Sequence, residues 1–113
     1  MFSESVKAEI AQELMRAATA RQEGFEGRAR VCARRATGVA IREYRRLRGE
    51  ATLRANAYDL LAGLSDEENL PEEGRRAVEH LLLRVDEEFR LPEEIDLLME
   101  AKRLIDLLEK LTS

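Results

Sequence analysis

The segment from Arg28 to Arg48, RARVCARRATGVAIREYRRLR, constrains this chain more than any other. Ala29, Cys32, Ala33, Ala36 and Ala40 recur at spacings of three and four. Such spacings put small side chains on one face of a helix and let a neighbouring backbone come close. The other side carries Arg28, Arg30, Arg34, Arg35, Arg42, Arg45, Arg46 and Arg48. The pattern predicts the central helix of a bundle, with guanidinium groups facing outward. Gly38 costs about 1 kcal/mol inside a helix relative to alanine, and close approach of another helix is a good reason for it.

A chain of 113 residues is one domain, spanning 1–113, and is long enough to bury a core without metal or disulfide staples. Its single cysteine, Cys32, excludes an internal disulfide and reads as a small apolar member of the alanine ladder. No apolar run is long enough to span a membrane, and no secretory leader is visible at Met1-Phe2-Ser3-Glu4-Ser5, so a cytoplasmic location is expected. The net charge of −4 hides an asymmetry: residues 1–54 carry 12 Lys+Arg against 7 Asp+Glu, whereas residues 55–113 carry 7 against 16. The basic helix is therefore expected to pack beside the acidic ones, its charges pairing within the fold or across a dimer. A second expectation is an RNA or DNA surface built from Arg28, Arg34, Arg35, Arg42, Arg45 and Arg46. Absence of tryptophan and few aromatics argue against a stacking platform for single strands.

Apolar periodicity predicts five helices and no strands. The first runs from about Ser5 to Gln22, capped by Ser3 or Ser5, with Phe2 folding back and Val6, Ile10, Leu14 and Ala17 or Ala18 inside. Gly24 and Gly27 break the pattern, and Phe25 between them is expected to anchor in the core. The second runs from Gly27 to Leu47, burying Val39, Tyr44 and Leu47 as well, with Gly49 as a left-handed cap. The third spans Ala51 to Leu64, with Gly63 at its fraying end. Leu70-Pro71-Glu72-Glu73 and Leu91-Pro92-Glu93-Glu94 read as start signals, because proline and carboxylates suit a first helical turn. They predict helices from Pro71 to Val85 and from Pro92 to Leu111. Short turns between helices of this length imply an all-α, antiparallel, four- to five-helix up-and-down bundle.

Little in the chain carries chemistry. His80 is the only histidine and follows Arg75 at the spacing Arg-x4-His, with Arg76 one turn before it on the same face. A histidine near neutrality moves protons, and a guanidinium holds a phosphate and its developing charge. That pair suits metal-free cleavage of RNA through its 2′-hydroxyl, with Arg75 and His80 as candidate catalytic residues. Asp86-Glu87-Glu88 and Glu93-Glu94 with Asp96 read as a solvated loop and helix caps rather than a cation site. No metal-ligand cluster, phosphate loop, dinucleotide fingerprint or nucleophile elbow occurs, so no cofactor and no metal is expected.

Gly27 to Ala36, continuing through Gly38-Val39-Ala40-Ile41-Arg42-Glu43-Tyr44, resembles the second helix of small HEPN-like bacterial proteins. Tyr58-Asp59-Leu60-Leu61 and the Leu91-Pro92-Glu93-Glu94-Ile95-Asp96 start fit the same layout. The resemblance implies a helical bundle that commonly dimerises. Many such proteins are ribonucleases or toxins paired with a nucleotidyltransferase-like antitoxin, and others have lost catalysis. The family motif, Arg-x4–6-His, maps here only onto Arg75 and His80. The family often places a small polar residue after the arginine and an aromatic soon after the histidine, where this chain has Arg76 and Leu81-Leu82-Leu83. The resemblance therefore implies a non-catalytic protein acting through a homodimer or a protein partner, with an HEPN-type ribonuclease as the alternative.

Overall fold

The structure, a computed structural model, describes residues 1–50, 55–83 and 95–112. Among them are five helices and no strand: α1 (Glu4–Gln22), α2 (Glu26–Leu47), α3 (Ala57–Ser65), α4 (Glu72–Leu82) and α5 (Leu97–Leu111). None of these helices is long and apolar enough to cross a membrane.

The alanine ladder places α2 at the centre. Ala29, Ala33, Ala36 and Ala40 are wholly buried, Cys32 nearly so, and α2 packs against α1, α3 and α5. Small side chains also meet it from the other helices, with Ala17 and Ala20 of α1 and Ala101 of α5 buried. Bulk comes from Ile41, Leu61, Leu64, Leu81, Leu97, Leu104 and Leu108, all fully enclosed. The close approach expected at Gly38 is real: a Cβ there would meet Ala57 Cβ at 3.4 Å, so α3 starts directly over it. Thr37, the polar member of this buried stretch, satisfies its hydroxyl by donating to Arg34 O at 2.7 Å.

Helix ends follow local chemistry. Ser3 Oγ accepts the Val6 N–H and starts α1. Phe2 is buried as expected. Gly24 (φ +86°) lets the chain turn so that the Phe25 N–H reaches Ala20 O, and Gly49 (φ +79°) does the same for the Glu50 N–H and Arg45 O. Arg21 ties three elements together, donating to Glu26 at the start of α2 and to Asp96 at the start of α5.

Several expectations need correction. Phe25 does not anchor in the core: it is 51% exposed, because it sits at the N-cap of α2, and its ring lies 5.1 Å from the Arg28 guanidinium. Leu47 and Leu111 face solvent at the last turns of their helices. Gly27 and Gly63 lie inside α2 and α3. The third helix begins at Ala57, because Asn56 Oδ1 accepts the Asp59 N–H and caps it there. The fifth begins at Leu97, because Asp96 accepts the N–H groups of Leu98 and Met99. The fourth ends at Leu82, where Leu83 turns extended. Residues 51–54, Val85, the carboxylates of 86–88 and the second Leu-Pro-Glu-Glu box at 91–94 lie outside the described residues.

A buried carboxylate, Glu43, joins the chain start to the central helix. It accepts the Ser3 N–H at 3.1 Å and two donors from Arg46. The Arg46 hydrogen bond, aided by the Ser3 N–H and opposed by burial, holds Glu43 down at about 2 against an ordinary 4.5. A carboxyl depressed in the folded state stabilises above its unfolded value and loses that contribution on acidification. The stability of the protein should therefore fall as pH drops from 4.5 toward 2, and Glu43→Gln should flatten that slope. Near neutrality the same variant should cost about 1–3 kcal/mol in urea unfolding. An unchanged acid limb in Glu43→Gln would contradict this role.

Candidate functional site

Arg75 and His80 are five residues apart on α4, which sets them about 140° apart around the helix axis. Their side chains go to different places. Arg75 donates to the backbone carbonyls of Ser65 (2.8 Å), Glu67 (3.0 Å) and Leu70 (3.4 Å), and so fastens the connection between α3 and α4. Its fork is occupied by the fold. His80 faces α5 instead, with Nδ1 buried 3.3 Å from Glu100 Oε2 but without the alignment of a hydrogen bond. Arg76, not Arg75, shares a groove with His80. That groove, about 590 Å³ between α4 and α5, is also lined by Glu73, Arg103, Asp106 and Lys110. Its cations and carboxylates alternate, and Glu100 is already paired with Arg103 at 3.3 Å.

The arginines of α2 divide into two groups. Arg34 donates to Leu81 O and Leu83 O and so completes the C-terminus of α4, while its guanidinium also lies over the Tyr58 ring. Arg42 donates to Ala55 O. Arg45 reaches Glu50 and Glu67, and Arg46 grips Glu43. Arg48 donates to the Tyr44 hydroxyl and pairs with Glu67. Those partners hold Arg46 and Arg48 above the ordinary guanidinium range, through the Glu43 and Tyr44 hydrogen bonds respectively. Of the six arginines expected to meet nucleic acid, Arg34, Arg42, Arg45 and Arg46 are thus committed to the fold. Arg28 and Arg35 form no ion pair among the described residues, and they point to a different place.

That place is a groove of about 820 Å³ between α1 and α2. One wall is Gln12, Met15, Arg16, Thr19 and Ala20 of α1 with Glu23 just past its end, a stripe that returns every three to four residues. The other is Arg28, Val31, Cys32 and Arg35 of α2, with the same periodicity. Met15 is 70% exposed and Val31 44%, although both are apolar. Phe25 continues the apolar surface under Arg28. Arg16, Arg28 and Arg35 therefore rim this apolar surface beside one lining carboxylate, Glu23; Arg16 is already paired with Glu13 at 2.8 Å, whereas Arg28 and Arg35 form no ion pair among the described residues. Met15, Arg16 and Val31 are among the members that sequence reading did not single out. The available signal was the interruption of an arginine stripe by Val31 and of a polar stripe by Met15.

No group of three or more His, Cys, Asp or Glu among the described residues is arranged to hold a metal ion. Comparison of the chain with protein-family models, curated proteins and solved structures gives no match.

Proposed function

We propose that this chain is a non-catalytic helical association module, an antiparallel bundle with an HEPN-like layout, that acts through dimerisation or by binding a partner protein. The observation that carries this reading is the α1/α2 groove, where exposed apolar side chains and arginines without ion pairs coincide. Solvent-exposed apolar surface with a charged rim is the usual form of an interaction site. Further support comes from Arg75, whose two terminal nitrogens donate to the carbonyls of Ser65, Glu67 and Leu70 and so serve the fold. The HEPN-like layout also implies a class of partner, an antitoxin-like nucleotidyltransferase.

The second reading is a metal-independent ribonuclease. One observation favours it: Arg76, His80 and Glu100 line the same groove, with a carboxylate beside the imidazole. The two readings separate in one assay. Purified protein mixed with labelled RNA should give no cleavage beyond that of the His80→Ala variant. Cleavage that is lost in His80→Ala would overturn the association reading.

A further inference from the structure

The α1/α2 groove has a charge pattern that selects its occupant. With Arg16 already held by Glu13 at 2.8 Å, Arg28 and Arg35 outnumber the single lining carboxylate, Glu23, in a chain whose overall charge is −4. The groove is therefore a local positive strip on an acidic protein. A two-fold dimer through this surface would bring two copies of the same positive strip together. Like charges so placed disfavour that pairing. RNA would satisfy the arginines with phosphates. It would leave Met15 and Val31 facing bases with Phe25 as the one nearby aromatic among the described residues.

An amphipathic helix answers both features. The α1 wall runs from Gln12 to Glu23, about 16 Å of helix at 1.5 Å per residue, which matches about three turns of an incoming helix. Apolar side chains at spacings of three and four would lie on Met15, Ala20 and Val31, as in other helix-in-groove complexes. Carboxylates on the flanks would meet the arginine rim, where the planar guanidinium pairs well with carboxylate. We propose that the α1/α2 groove receives an acidic amphipathic helix of another protein, with its apolar face down and its carboxylates on Arg28 and Arg35. The proposal rests on the association reading and goes further by fixing the chemistry of the partner.

The experiment uses the full chain and two stapled peptides of about three turns. Both carry leucines on one face, and the other face is glutamate in one and lysine in the other. Fluorescence anisotropy should show the acidic peptide binding at least about tenfold more tightly than the basic one, with affinity falling as salt is added. Arg28→Glu with Arg35→Glu should erase that preference. Met15→Asp should weaken the acidic peptide at least about tenfold. These side chains lie at an open groove, so circular dichroism should stay unchanged and loss of binding will not reflect unfolding. Equal binding of both peptides, or displacement of the acidic peptide by RNA, overturns the proposal. Self-association in sedimentation that Met15→Asp abolishes assigns the groove to a second copy: the association reading then stands and the acidic helix falls. If neither peptide binds and the protein does not self-associate through this groove, both fall.

Discussion

Replacing Ala36 with leucine is expected to destabilise the protein by about 3 kcal/mol, because the added carbons have nowhere to go. Ala36 is wholly buried on the face of α2 that meets its neighbours, within a run that includes Ala33 and Ala40. Dense interiors do not absorb that volume without moving a helix or forcing side chains off their rotamers. At this chain length such a loss lowers the thermal midpoint by roughly 10 °C. Ala18→Leu is the control. Ala18 is also a helical alanine, on α1, but it is exposed. Its substitution should stay within about 0.5 kcal/mol. Urea unfolding of the two variants side by side separates crowding from any general effect of leucine. Equal stability of the two would mean that the ladder is not a packing surface.

Arg75→Ala is expected to cost about 2–3 kcal/mol, the scale of hydrogen bonds that involve a charged group. Arg75 supplies donors to three carbonyls of the α3–α4 connection, at Ser65, Glu67 and Leu70. Truncation removes the guanidinium from all three oxygens and leaves Glu67 O with only the Leu70 N–H at 3.4 Å, while the rest of α4 keeps its contacts with α3 and α5. Arg75→Lys should recover less than half of the loss, since a single ammonium does not reproduce a planar fork. His80→Ala makes the contrast. His80 is partly exposed, and losing its contact with Glu100 leaves Glu100 still paired with Arg103, so that variant should cost under about 1 kcal/mol. A catalytic arginine would behave the other way, with stability unchanged on truncation.

The central helix was legible because its signal is periodic and local. Five small residues at spacings of three and four have few uses other than close packing, and Gly38 under Ala57 follows the same logic. The ends of α3 and α5 were not legible. Apolar periodicity runs on past Asn56 and Asp96, and nothing in it says which polar residue takes the capping geometry. Phe25 failed because its type suggests burial, whereas its position beside a left-handed Gly24 fixes where the ring can go. Glu43 was hidden by its charge: a carboxylate between Arg42 and Tyr44 reads as surface. Only its spacing from Arg46 hinted at a pair. The candidate site was the hardest part. Spacing put Arg75 and His80 in one motif, but side-chain direction sent one to the α3–α4 connection and the other toward α5. The groove depends on two stripes, one on each of two helices, and their juxtaposition is a tertiary fact.

The most direct measurement is a nitrogen–proton correlation spectrum of the labelled protein, titrated with the acidic amphipathic peptide. Perturbed amides should cluster at Met15, Thr19, Glu23, Arg28, Val31 and Arg35, along the two walls of the α1/α2 groove. Perturbations gathered instead at Arg76, His80 and Glu100, with that groove silent, would contradict it.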